Sequence, residues 1–157
     1  MKILIIALCL VVLQSTQNEA YSEVNTDFEE IKREFNIQKG DYFVMIFFDL
    51  GACEKYIFTP LGIVNCLKEK VGDVKVKFSA FVSVSREKEL AIFKKNYSWN
   101  YDCHRDKDYK EKLGLKRSAA VAVFDSEGNT ISEMKLFDIN CDKLMTDLEE
   151  YNKLYKP

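Results

Sequence analysis

The sequence has a single histidine, no internal repeat, no excess of either charge and few long apolar runs. Its 157 residues include 23 basic and 25 acidic side chains, which give a formal net charge of −2. Because these charges are spread along the whole chain, the sequence gives no reason to expect a nucleic acid as partner. The total length and the ordinary apolar content are typical of one compact domain with a substantial core.

Motifs that mark several common classes of enzyme are also missing. The chain has no glycine-rich phosphate loop, no Gly-x-Ser-x-Gly and no His-Glu-x-x-His. His104 stands beside Cys103, but neighbouring residues of a strand point to opposite faces, and no zinc-ligand spacing surrounds them. We therefore interpret His104 as a surface residue, and the sequence predicts no metal site and no cofactor.

The first 20 residues are predicted to be a signal peptide. One lysine precedes eleven apolar residues from Ile3 to Leu13. This length suits the core of a signal peptide, whereas a helix that spans a membrane needs about 20 residues. Cleavage is expected after Ser15 or Ala20, and an uncleaved anchor is the alternative. We therefore expect residues 21–157 to form a single exported domain, periplasmic or secreted, with no membrane span once the signal is removed.

The hydrophobic pattern of this domain predicts an α/β fold with a mixed sheet. The apolar run from Tyr42 to Phe48 indicates a strand buried on both faces, and alternation predicts a second strand from Val74 to Val84. The turn Ser126-Glu127-Gly128 joins two further strands as a hairpin. Helical stripes lie between the strands and over residues 144–155. Strands joined by helices pair in parallel, and the hairpin adds antiparallel strands.

Four cysteines remain when Cys9 is removed with the signal peptide: Cys53, Cys66, Cys103 and Cys141. An even number in an oxidising compartment permits disulfides, with three possible pairings. Continuous helix between Cys53 and Cys66 would separate them by about 20 Å, and a disulfide needs Cα atoms within about 7 Å. That pair is therefore excluded unless the helix is broken. We interpret Cys66 as a core residue and Cys141 as structural or exposed.

Two stretches resemble the thioredoxin fold, and most closely the exported thiol–disulfide oxidoreductases of the TlpA and ResA type. FFDLGACEKY at residues 47–56 is similar to the family's buried strand, short turn and Cys-x-x-Cys motif. LGLKRSAAVAVFDSEGNTI at residues 113–131 is similar to the segment where a cis-proline begins a strand and a hairpin follows. The resemblance covers residues 40–155. It implies a thioredoxin-like domain, a mixed central sheet flanked by helices, over residues 21–157.

The resemblance also assigns roles to individual positions. Cys53 matches the attacking cysteine, Tyr56 replaces the resolving cysteine, and Ala119 replaces the cis-proline, so that Tyr56 and Ala119 would line the substrate groove. A cis bond before a residue other than proline costs about 3 kcal/mol, and we expect the bond before Ala119 to be trans. A phenol cannot resolve a mixed disulfide. The candidate resolving thiols are Cys103, expected to follow an edge strand on the same side of the sheet as Cys53, and an external thiol.

Three functions are compatible with these residues. The favoured one is a one-cysteine thiol–disulfide oxidoreductase that acts through Cys53 on a protein thiol or disulfide, since a helix N-terminus favours the thiolate. The second is an inactive binding module whose groove holds a polypeptide, and the third is a silent site with all cysteines in structural disulfides. Peroxide reduction is disfavoured, because Ile46 and Leu50 stand where peroxiredoxins have proline and threonine. The helix after Cys53 is either kinked at Pro60 or begins there.

Overall fold

The computed structural model describes residues 28–49 and 54–155. Its centre is a five-stranded sheet in the order β3-β2-β1-β4-β5. Strand β1 is parallel to β2, and β2 to β3, whereas β4 is antiparallel to both β1 and β5. The predicted mixed sheet is therefore confirmed. The strands are β1 Tyr42–Asp49, β2 Val76–Ser83, β3 Cys103–Arg105, β4 Ala119–Asp125 and β5 Thr130–Lys135.

Helices cover both faces of this sheet. They are α1 at residues 28–34, α2 Glu54–Phe58, α3 Leu61–Val71, α4 Glu87–Asn96, α5 Tyr109–Lys112 and α6 Cys141–Tyr155. One apolar layer joins the sheet to α2, α3, α4 and α6, and the other joins it to α1 and α5. Among residues 28–49 and 54–155, no helix combines the length and apolar character that a membrane span requires.

Strand β1 supplies side chains to both apolar layers. Val44 and Ile46 pack in the layer of α3 and α6, whereas Phe43, Met45 and Phe47 pack in the layer of α1 and α5. Successive residues of a strand point to opposite faces, so a continuous apolar run is what a doubly covered strand requires. The prediction of a strand buried on both faces is confirmed.

The chain after Cys53 forms two short helices, which corrects both alternatives for this segment. Helix α2 ends at Phe58 and α3 begins at Leu61, with Pro60 at the N-cap of α3. A proline has no N–H to donate to the preceding turn, so the first helix cannot continue through it. The backbone N–H of Ile63 donates to the Pro60 carbonyl at 3.1 Å, which starts the new helix.

A disulfide between Cys66 and Cys141 links α3 to α6, with the two Cα atoms 6.0 Å apart. Cys66 is buried, as predicted, but it is bonded to Cys141 and is not a free core thiol. Cys141 is exposed at the first residue of α6. The pair forms because α3 and α6 lie side by side in the same apolar layer.

Asp125 at the end of β4 holds the hairpin to α6. Its carboxylate accepts hydrogen bonds from the backbone N–H groups of Glu127 and Asn129, each at 2.9 Å, and from the hydroxyl of Tyr151. Burial acts to raise the pKa of Asp125, but the hydrogen bonds from Tyr151, Asn129 and Glu127 outweigh it and lower the pKa below 3.8. Folding therefore stabilises the ionised carboxylate.

We expect Tyr151→Phe to lower the free energy of unfolding by about 2 kcal/mol at neutral pH, because a buried carboxylate loses a hydrogen bond. A carboxyl with a lowered pKa stabilises the fold above its unfolded pKa, near 3.8. That stability is lost as the pH falls through the folded pKa. The variant should thus lose less stability on acidification than the unmodified protein.

Urea unfolding at a series of pH values measures this, with Tyr155→Phe on the exposed side of α6 as the control. Parallel pH profiles for Tyr151→Phe and the unmodified protein would contradict it.

Candidate functional site

A cleft of about 390 Å³ opens where β1 and β4 separate. The ladder between these strands ends at Ile46 opposite Val121, and the next residues of both strands line the cleft. Strand β1 contributes Phe47, Phe48 and Asp49. The cleft therefore lies at the carboxyl end of β1, the end of the strand from which the chain leads towards Cys53.

The structure brings together the two residues that were predicted to line a groove. Tyr56 of α2 and Ala119 at the start of β4 both line the cleft. The Tyr56 ring is half-buried and meets the Phe137 ring edge to face, with 5.5 Å between centroids. Ala119 is buried, and every peptide bond among the described residues is trans. The prediction of a trans bond before Ala119 is confirmed.

Cys53 lies outside the described residues. It directly precedes Glu54, the first residue of α2, and α2 contributes Tyr56 to the cleft. The described part of α2, Glu54–Phe58, has 5 residues. The effect of a helix N-terminus on the Cys53 thiol stays a prediction.

Cys103 does not follow the edge strand as predicted; it is the first residue of β3. It pairs with Ala80, which in turn pairs with Ile46 of β1. Cys103 is thus two strands away from β1 across the sheet and level with Ile46, three residues before Asp49. These spacings put the Cα atom of Cys103 about 14 Å from the Cα atom of Asp49, the residue at the edge of the cleft. The segment before Cys103 is held to the end of α4 instead: the Trp99 backbone N–H donates to the Lys94 carbonyl at 2.9 Å, and the Trp99 side chain is buried in the core.

The Cys103 thiol is free and buried. Burial raises its pKa to about 11, against a smaller opposing effect of Lys94. The thiolate is the reactive form of cysteine, and at neutral pH this side chain is a thiol. In the folded protein Cys103 therefore lies away from the cleft, and at neutral pH it is in its unreactive, protonated form.

Two cationic side chains at the cleft were not singled out from the sequence. Lys110 lies with Nζ 4.8 Å from the centroid of the Phe47 ring and donates to the Arg117 carbonyl at 3.2 Å. The Arg117 side chain is exposed, as is that of Asp49. The signal in the sequence is the segment from residue 105 to 117, in which six basic residues accompany three acidic ones.

The histidine lies on the other side of β3 from Cys103. His104 Nδ1 is 3.7 Å from Glu34 Oε1, and its ring meets the Phe35 ring edge to face at 4.8 Å. Its side chain is 36% exposed. Within residues 28–49 and 54–155, no group of three or more His, Cys, Asp or Glu side chains is arranged to hold a metal ion.

The described lining of the cleft suits binding better than chemistry. Its floor is apolar, its rim carries two cations and one carboxylate, and among its described members there is neither a thiol nor an imidazole. A reaction at this place would need a nucleophile from the adjoining segment, and Cys53 is the nucleophilic residue that the sequence supplies there.

Neither a protein-family model nor a curated protein sequence matches the chain. Solved structures do. A DsbF homologue from Corynebacterium diphtheriae aligns over 76% of this chain and 75% of its own, with a TM-score of 0.51 and 14% identity. The thioredoxin domain of a thiol-disulfide oxidoreductase from Bacteroides vulgatus aligns over 72% and 80%, with a TM-score of 0.49 and 16% identity. A secreted disulfide oxidoreductase from Mycobacterium tuberculosis aligns over 71% and 83%, with a TM-score of 0.47 and 13% identity. The fold of this chain is thioredoxin-like.

Proposed function

We propose that the protein is an exported thioredoxin-like thiol–disulfide oxidoreductase that acts through Cys53 alone. The observation that supports this most is the cleft between the ends of β1 and β4. It contains Tyr56 and Ala119, the two positions that the resemblance assigns to the substrate groove, and Cys53 stands three residues before Tyr56 in the sequence.

The proposed reaction is thiol–disulfide exchange with a protein partner. The Cys53 thiolate attacks one sulfur of the partner's disulfide, a bond forms between these two sulfurs, and the other partner sulfur leaves as a thiolate. Tyr56 has no sulfur with which to resolve this mixed disulfide. An external thiol would therefore attack it, form a disulfide with one of the two sulfurs and release the other.

Cys103 is a less favourable resolving thiol than the external one. Its burial and its raised pKa, about 11, keep it protonated at neutral pH. To bring Cys103 to the cleft, strand β3 would have to leave the edge of the sheet, where Cys103, His104 and Arg105 pair with β2. That movement would break a ladder and expose apolar core, which makes an external thiol the better candidate.

Two further observations support export and the TlpA/ResA branch. The Cys66–Cys141 disulfide is of a kind that persists in oxidising compartments, in agreement with the predicted signal peptide. Helix α4 and strand β3 lie between β2 and β4. Their order resembles the extra helix and short strand that are typical of that branch.

A binding module without turnover is the second candidate. The observation in its favour is the contact between Tyr56 and Phe137, which makes the position of the missing cysteine part of an aromatic wall. Such a wall would hold a polypeptide against the cleft with no need of a thiol.

The rate of Cys53 alkylation against pH, with each cysteine followed by mass spectrometry, decides between the two candidates. We expect Cys53 to titrate below the ordinary thiol pKa of about 8.5, whereas Cys103 is labelled at neutral pH only after unfolding. Cys53→Ser should remove the fast-reacting site. If Cys53 reacts no faster than an ordinary thiol, the oxidoreductase proposal fails and the binding module is the remaining candidate.

Tyr56→Cys provides a matched test of the one-cysteine mechanism. With Ellman's reagent the unmodified protein should keep a stable mixed disulfide on Cys53. The variant should lose this adduct, because the new thiol three residues away attacks it and closes an intramolecular disulfide. A persistent adduct in the variant would mean that the two positions do not face each other as the resemblance implies.

A further inference from the structure

We propose that the cleft binds an acidic, extended segment of polypeptide. This inference rests on the proposed function, because it names the class of partner that the same site takes. We call Lys110 and Arg117 the cationic rim of the cleft. The argument depends on how these two side chains are held, on the charges around them and on the apolar surface beside them.

Lys110 is held in place at the cleft. Its ammonium group lies over the Phe47 ring and donates to the Arg117 carbonyl. A cation over an aromatic face is attracted by the ring, and two such contacts restrict a side chain that would otherwise be mobile in water. The ammonium group has three N–H donors, and the Arg117 carbonyl uses one of them. An anionic ligand can take the others with little further loss of side-chain entropy.

Arg117 provides the second positive charge. Its side chain is exposed and forms no ion pair with any other described residue. Guanidinium groups bind carboxylates through two parallel hydrogen bonds. An exposed arginine at the edge of a cleft, with no ion pair to another described side chain, is therefore well suited to a carboxylate on a partner.

The local charge favours acidic partners although the chain as a whole is acidic. Asp49 is the acidic residue among the described lining residues, against the two cations of the rim. The segment from residue 105 to 117 has three more basic than acidic residues, whereas the net charge of the whole chain is −2. Clefts with low-dielectric walls concentrate such local fields and increase the rate of association with ligands of opposite charge.

An apolar surface adjoins the cationic rim. Phe137 is 81% exposed and contacts Tyr56, and Leu136 lines the cleft beside it. Exposed aromatic side chains at the edge of a concave site are typical anchors for a partner's apolar side chain. Because the gap lies between two strand ends, it suits a chain in extended form. The expected ligand thus combines carboxylates with a short apolar centre.

The test is peptide binding to the Cys53→Ser variant, so that no thiol chemistry contributes. The two probes are a glutamate-rich peptide with a Val-Ala-Val centre and its lysine-rich counterpart, and the dissociation constants are measured by titration calorimetry at low and high salt. We expect the acidic peptide to bind more tightly, by roughly fivefold or more at low salt, with the preference reduced as salt screens the charges.

Charge reversal at the rim and at a remote site gives the matched comparison. Arg117→Glu should weaken binding of the acidic peptide by roughly fivefold. Lys75→Glu makes the same change of charge sign on an exposed residue before β2, about 25 Å away at the other end of the sheet, and should leave binding unchanged. Equal affinity for both peptides, no binding of either, or equal effects of the two variants would overturn the inference.

Two other occupants of the cleft are outcomes of the same experiment. If inorganic phosphate alone displaces the acidic peptide at low concentration, the site is one for small anions and the inference fails. If the protein self-associates through the cleft and Arg117→Glu abolishes that association, a second copy is the occupant and the inference fails. These measurements use a variant without the Cys53 thiol, so a negative result overturns only the inference about the acidic ligand. An unreactive Cys53 in the alkylation experiment would overturn the proposed oxidoreductase instead.

Discussion

Removal of the Cys66–Cys141 disulfide is expected to lower the free energy of unfolding by about 4 kcal/mol. The bond joins residues 75 positions apart, so it closes a long loop in the unfolded chain and removes much of that chain's conformational entropy. It also fastens α3 to α6 in one apolar layer, where Leu67 and Leu144 are fully buried. The loss should be visible as a lower midpoint of urea unfolding.

Cys141→Ser is the variant of choice for this measurement. Cys141 is exposed, so its hydroxyl replacement stays in water, whereas a serine at the buried Cys66 would add the cost of a polar group in the core. A strong reductant should lower the stability of the unmodified protein to that of Cys141→Ser and leave the variant unchanged. An unmodified protein whose midpoint stays the same after full reduction would show that the bond does not contribute to stability.

Gly128→Ala is expected to cost about 3 kcal/mol of folding free energy, by strain in the backbone and overpacking together. Gly128 has a φ of +89°, a conformation that disfavours residues with a Cβ atom. A Cβ atom at this position would lie 2.7 Å from ring carbons of Phe28, which is fully buried in α1 and packs against Phe124 with 5.4 Å between ring centroids. Helix α1 would therefore have to move away from the hairpin.

Gly72→Ala separates these two causes. Gly72 has a similar φ of +96°, but a Cβ atom there would meet no heavy atom within 4 Å among those described. Its substitution should cost only the backbone term, about 1 kcal/mol. Urea unfolding of the two variants side by side measures the difference, which reports the packing of Phe28. Equal losses in the two variants would mean that α1 adapts to the added methyl group without cost.

The element order and the mixed sheet could be predicted from the sequence because they depend on local periodicity. The apolar run of β1, the hairpin turn at residues 126–128 and the helical stripe of α6 each reflect which faces of an element are buried. The end of the helix after Cys53 was less predictable. In a sequence, proline is compatible with both a kinked helix and a new start; in the structure α2 ends at Phe58 and α3 begins at Leu61, and Ile57 and Ile63 of the two helices pack in one apolar layer.

The candidate site was predicted in part. The groove positions of Tyr56 and Ala119 were implied by the resemblance to the thioredoxin fold, and both residues line one cleft. The cationic rim was not predicted, because Lys110 and Phe47 are 63 positions apart and meet only when α5 covers one face of β1.

The sequence by itself determined the order of strands and helices and the resemblance to the thioredoxin fold, in which Tyr56 stands where the resemblance expects a second cysteine. The tertiary structure alone decided that Cys66 pairs with Cys141, that Cys103 is buried at the start of β3, and that two cations stand at the cleft. The physical reason is the range of the interactions. Periodicity and turn chemistry act between near neighbours, whereas disulfide pairing, burial and local charge depend on which distant elements pack together.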